Sequence, residues 1–139
     1  MKTSLLVALF SAAIPLFSFC SHPVKKGSCR SEITALVQTG AYEKPGEHVY
    51  FNVAGFDPQN KDCFNYLRAF GKEAALQCRL PVTIHFLDDT PQFQPLIDGK
   101  MYGTEDIRRK VILQYLLLAN QQEMVYFDPL GYGKYVAPN

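Results

Sequence analysis

Two stretches of the chain alternate strictly between apolar and polar or mixed positions. His48 to Phe56 (HVYFNVAGF) sets Val49, Phe51 and Val53 on one side and Tyr50, Asn52 and Ala54 on the other. Val82 to Leu87 (VTIHFL) does the same, with Val82, Ile84 and Phe86 opposed to Thr83, His85 and Leu87. A period of two, rich in β-branched and aromatic residues, predicts two strands. Between them the period changes. From Lys61 to Arg79 the residues Cys63, Phe64, Leu67, Phe70, Gly71, Ala74, Ala75 and Cys78 recur at steps of three and four, while Lys61, Asp62, Arg68, Lys72, Glu73 and Gln77 face out. That is an amphipathic helix, opened by the Asp57-Pro58-Gln59-Asn60 break. Its small residues Gly71, Ala74 and Ala75 suit close packing on a sheet.

Other segments complete the outline. Ser28 to Val37 reads as a short helix, with a serine cap, an Ile33, Leu36, Val37 stripe and a Gly40 stop. Thr104 to Ala119 reads as the strongest helix: Thr104 caps it, Glu105 and Asp106 occupy its first turn, and Ile107, Val111, Ile112, Leu113, Leu116, Leu117 and Leu118 form a wide apolar surface. Phe93 to Lys100 fits a short edge strand, and Met124 to Phe127 a last strand. Without the first helix the order is βαββαβ. This predicts an α+β domain of ferredoxin-like type, both helices on one face of an antiparallel sheet, plus the N-terminal helix. If 93–100 is loop, a small α/β fold with a parallel sheet is the alternative.

The N-terminus has a different logic. Lys2 precedes an uncharged run from Thr3 to Cys20 whose densest part is Leu5 to Phe10, and Pro15 interrupts it. A basic start, a short apolar core and a cleavable end make a secretory signal, shorter than the roughly 20 apolar residues a membrane span requires. Leu16-Phe17-Ser18-Phe19-Cys20, followed by Ser21-His22-Pro23-Val24-Lys25-Lys26-Gly27-Ser28, resembles the signal and linker of small lipoproteins of Bacteroidota-like bacteria. The resemblance spans about 25 residues. It implies a signal peptide over 1–19, a lipidated Cys20, a tether over 20–28, and a single domain over 29–139 held at the outer envelope or cell surface. Phe19 stands where such signals carry a small residue, so ordinary cleavage after Ser18 or Cys20, giving a periplasmic or secreted protein, is one alternative, and an uncleaved membrane anchor is the other.

Charge and cysteines narrow the classes. The 139 residues carry 14 Lys and Arg against 13 Asp and Glu. No cationic excess exists to neutralise phosphates, which excludes nucleic acid as the expected partner. In an exported chain a disulfide is expected. Cys63 and Cys78 flank one continuous helix and at about 1.5 Å per residue lie too far apart to bridge. Cys29 then pairs with Cys63 or with Cys78; the alternative is that all three stay unpaired as small apolar side chains. No CxxC or CxxH spacing is present, which argues against zinc or a thioredoxin-like role.

Few residues offer chemistry. His48 is expected at the surface beside Glu47, and His85 partly buried in mid-strand; nothing in the sequence brings Cys63, His85 and Asp88 together as a nucleophilic set. Asp57, Asp88 and Asp89 follow the two alternating strands and are the candidate ligands for a hard cation, with turn formation as their ordinary role. Nucleophile elbows, HExxH, phosphate loops and dinucleotide fingerprints are all missing, and no cofactor is implied. Tyr126, Tyr132 and Tyr135 in the aromatic C-terminal segment are candidate contacts for a macromolecular partner. The expected function is an exported, non-enzymatic binding domain of the cell envelope. The alternatives are a cation-assisted hydrolase using Asp57 and Asp88, or a structural envelope component.

Overall fold

A computed structural model describes residues 24–40, 47–91 and 105–139. The two alternating runs are strands, β2 (Glu47–Ala54) and β3 (Val82–Asp88), and the amphipathic segment between them is helix α1 (Lys61–Leu76). Asn60 caps α1 by accepting the Asp62 backbone N–H, 3.0 Å away. A helical crossover between two strands permits parallel pairing, and β2 and β3 are parallel neighbours, with Val49 opposite Ile84 and Phe51 opposite Phe86.

The segments expected to be helical at either end of the chain are strands. β1 (Glu32–Gly40) replaces the helix expected over 28–37 and pairs antiparallel with β2. The expected helix from Thr104 to Ala119 is a single turn, α2 (Glu105–Arg108), followed by β4 (Val111–Leu117). β4 runs antiparallel to β3, and β5 (Glu123–Phe127) antiparallel to β4. Both errors have the same physical origin. The β1–β2 register slips between Ala35 and Val37, and the β3–β4 register slips between Phe86 and Leu87. The extra residues, Leu36 and Ile112, break the alternation that marks a strand and leave three- and four-residue spacings that mimic a helix. Ile33 packs on the α1 side of the sheet while Leu36 packs on the other. Ile112 and Leu113 both belong to the α1-side core, whereas Val111 joins the opposite face.

The α+β class stands, but the arrangement is not the split βαββαβ one. The described strands form a mixed sheet in the order β1-β2-β3-β4-β5. Only the β2–β3 pair is parallel, so the parallel-sheet alternative does not describe it either. The segments 93–100 and 1–23, which carry the expected edge strand, the signal peptide and Cys20, lie outside the described residues.

α1 covers one face of the sheet. Phe64, Leu67, Phe70, Ala74 and Ala75 meet Val49, Phe51, Ile84, Phe86, Leu113 and Tyr115 in one apolar core. Phe70 stands edge-on to both Phe51 and Phe86, the geometry that ring quadrupoles favour. The helix approaches closely at Gly71, where a Cβ atom would lie 2.9 Å from Tyr115 Cβ and 3.3 Å from Phe86 Cε2. The Tyr115 hydroxyl passes beneath the helix and donates to Glu123 Oε1 at 2.6 Å, and Lys72 of α1 pairs with the same oxygen at 3.1 Å. Helix, central strand and edge strand are thus joined through one carboxylate, whose pKa both contacts hold down.

The residues expected to end a flexible tether are docked. Ser28 gives its backbone N–H and its hydroxyl to Asp62 Oδ2, each at 2.8 Å, which lowers the Asp62 pKa. Lys26 reaches the Ser31 carbonyl and Glu32, and lies over the Tyr66 ring. Cys29 is joined to Cys63, the first of the two pairings open to it, with α-carbons 4.8 Å apart. Cys78 follows the Gln77 cap of α1 as a free thiol, pushed up to about 11 by burial and by Glu47.

Two stability changes follow. Gly71→Ala gains about 1 kcal/mol of helix propensity but overpacks Tyr115 at its backbone-rooted Cβ, a strain of about 1–3 kcal/mol; a net loss is expected in urea unfolding, and a stabilised variant contradicts the close approach. Cys29→Ser with Cys63→Ser opens a loop of 34 residues and is expected to cost about 4 kcal/mol on the loop-entropy scale, whereas Cys78→Ser leaves the urea midpoint unmoved.

Candidate functional site

The sheet face turned away from α1 carries the most concentrated chemistry among the described residues. It is built by parity. On β2, Val49, Phe51 and Val53 point to the helix, so His48, Tyr50 and Asn52 point the other way; on β3 the same rule sends His85 and Leu87 there. The parallel register sets Tyr50 opposite His85, and the antiparallel register brings Gln114 of β4 to the other side of His85. The result is a row of polar side chains across three central strands.

His48, Tyr50, Asn52 and His85 are withdrawn from solvent, and Gln114 is half-buried. His85 is 1 % exposed and His48 8 %, so His48 is not the surface residue expected from its place beside Glu47. His85 lies flat against Tyr50, with ring centroids 4.5 Å apart at an angle of 11°, and His48 stacks beside it. His48 Nδ1 and His85 Nε2 are 2.8 Å apart, and Gln114 Nε2 is 3.2 Å from His85 Nδ1. With the Gln114 amide so oriented it donates to Nδ1. His85 then carries its proton on Nε2 and donates to His48 Nδ1, which places the His48 proton on Nε2. Gln114, His85 and His48 thus form one chain of bonds, with donor and acceptor at each step set by the ring tautomers.

Burial, and then the neighbouring His48, hold the His85 pKa well below the ordinary 6.5. Burial also raises the Tyr50 pKa far above its usual value, so the phenol stays protonated. Next to this row, Tyr50, Leu87, Ile107 of α2 and Val111 form a small apolar cluster. Asn52 accepts the Thr90 backbone N–H, which fixes the turn after β3. The row can hold a geometry and discriminate against charge. It lies across the sheet from Cys63, so Cys63, His85 and Asp88 do not meet as a catalytic set.

The carboxylates are engaged locally. Asp57 accepts the Gln59 N–H at 2.9 Å, closing its own turn. Asp88 accepts the Tyr135 hydroxyl at 2.7 Å, with Lys134 at 3.9 Å. Asp89 adopts a φ of 45° and donates its N–H to the Val53 carbonyl. Among the described residues, no group of three His, Cys, Asp or Glu side chains is placed to hold a metal ion.

The three tyrosines separate. Tyr135 is buried against Phe56 and bonded to Asp88, so it packs the tail and is not a partner contact. Tyr132 is exposed, its hydroxyl on Glu105 at 2.9 Å and the Arg109 guanidinium over its ring. Tyr126 is exposed on β5, the strand that closes the described sheet on that side. Phe127, Leu130 and Val136 are exposed with them. No protein-family model, curated protein or solved structure matches the chain, so function rests on this geometry.

The histidine row gives a pH dependence with a definite sign. Above the unfolded histidine pKa of 6.5 both folded and unfolded His85 are neutral and stability is flat. Below it the unfolded chain takes up a proton that the folded chain refuses, and stability falls by about 1.4 kcal/mol per pH unit. The loss continues until the lowered folded pKa is reached. Urea midpoints measured from pH 7.5 down to 5 should show this slope in the parent and a flatter one in His85→Gln; equal slopes remove His85 as its source.

Proposed function

We propose that this chain is an exported cell-envelope domain, anchored through an acylated Cys20, that binds an extended segment of another envelope protein without catalysing a reaction. The observation that carries the binding role is β5. It ends the described sheet, it is five residues long, and it contains no proline or lysine to discourage pairing. Tyr126 stands exposed on one face of it and Phe127 on the other. A strand added along this edge would gain main-chain hydrogen bonds from β5 and aromatic contact on both sides. The Cys29–Cys63 disulfide fits an oxidising compartment. Within the described residues no helix is long and apolar enough to cross a membrane, and attachment in this reading belongs to Cys20.

The reading is tested by placing a photo-crosslinking phenylalanine analogue at Tyr126 and, separately, at the exposed helix position Ala69, in cells making the full precursor. A discrete crosslinked protein from position 126 alone, weakened when Phe127→Ala is added, is the expected result. Equal crosslinking from both positions, or none from position 126, overturns the strand-addition reading and leaves the structural-component reading in its place.

A further inference from the structure

The docked N-terminal segment and the C-terminal tail meet at the same end of the domain. That end is set by topology. β2 and β3 are parallel, so Ala54 and Asp88 finish together; α1 begins there, β1 and β4 start there, and β5 finishes there. Cys29 is bonded to Cys63 in the first turn of α1, and Phe64 beside it touches Phe127 and Phe56, which in turn touches Tyr135. The tail therefore packs at the end of the domain where Ser28 and Cys29 are fastened to the first turn of α1.

Among the described residues, exposed large apolar side chains are distributed unevenly. Phe127, Leu130, Tyr132 and Val136, the last 62 % exposed, stand at or beside this end. Leu76, 58 % exposed, is at the far end of α1. Two of the cations here are held over rings, Lys134 over Tyr135 and Arg109 over Tyr132, each also paired with a carboxylate, Asp88 and Glu105, and Lys110 reaches the Asp89 carbonyl. Such an end is amphipathic and not cationic in excess. Aromatic rings with aliphatic neighbours and paired charges suit the headgroup layer of a bilayer, where the apolar part enters and the charged tip stays wet.

Chain length supplies the second argument. Because residues 24–28 are docked on α1, only Ser21, His22 and Pro23 separate Cys20 from Val24. Four residue steps reach at most ~14 Å. We propose that the tail end of the domain, with Leu130, Tyr132 and Val136, sits in the headgroup layer of the bilayer that holds the Cys20 acyl chains, and that Leu76 points away from it. The inference rests on the Cys20 anchor of the proposed function. It leaves the β5 edge facing sideways, parallel to the membrane, where a partner strand has access.

The chain has no tryptophan, so a single introduced one reports alone. Leu130→Trp, Val136→Trp and Leu76→Trp are made in the full precursor, the mature proteins are purified from membranes, and each is reconstituted into zwitterionic phosphatidylcholine vesicles with and without brominated acyl chains. Mass spectrometry of the N-terminal peptide reads the anchor separately. The expected result is an acylated Cys20, with the emission of Leu130→Trp and Val136→Trp shifted to the blue and quenched by bromine, and Leu76→Trp unchanged. An acylated protein in which all three are unquenched, or in which Leu76→Trp is quenched as strongly, overturns the seating while the anchor stands. A mature chain that begins at Ser21 or carries no acyl group at Cys20 overturns both.

Discussion

The contact between Gly71 of α1 and Tyr115 of β4 governs how this domain is put together. A side chain at position 71 would push the helix off the sheet; its absence lets Phe64, Leu67 and Phe70 reach the central strands, and lets Tyr115 pass under the helix to Glu123. α1 is also the crossover that makes β2 and β3 parallel. Its seating therefore decides which residues of both strands meet the core and which are left to the opposite face. The histidine row exists because every second residue of β2 and β3 is already committed to α1.

How legible was this in the sequence? Where a strand keeps strict alternation, as in 48–54 and 82–87, the elements and their core faces could be read directly. The helix between them was equally clear, down to its small residues. β1 and β4 were not. Each contains a bulge, at Leu36 and at Ile112, and each is packed by apolar residues on both faces. A buried strand with one extra residue has the spacing of a helix stripe, and Glu105-Asp106 open a true helix that lasts a single turn. What decides these segments is pairing with β2 and β3, which local pattern does not carry.

The site was legible in one half. His85 stood out as a polar residue inside an apolar strand, but His48 read as a strand-end surface residue. The signal that could have joined them is parity: His48, Tyr50 and Asn52 occupy alternate positions of β2, as Thr83, His85 and Leu87 do on β3. Given parallel pairing, the polar members of one strand must face those of the other. The disulfide was open between two partners because the choice depends on which turn of α1 Cys29 reaches. Docking of Ser28 on Asp62 brings the chain to the first turn of the helix, beside Cys63 and far from Cys78.

The two faces and the two ends of the sheet are unlike for different reasons. The faces differ by composition: one is apolar and closed by a helix, the other carries the buried polar row of His48, Tyr50 and His85. The ends differ by connectivity. Because β2 and β3 run the same way, the turn after each, the start of α1, the α2 turn and the tail after β5 all gather at one end, and the disulfide ties the N-terminal chain there too. Strand geometry alone would leave that end a ring of loops. The aromatic contacts Phe127–Phe64, Phe56–Phe64 and Phe56–Tyr135 tie its described parts together, with apolar side chains still standing out of it. A surface packed from beneath holds its exposed residues in fixed positions, as an interface requires and a loop cluster does not provide.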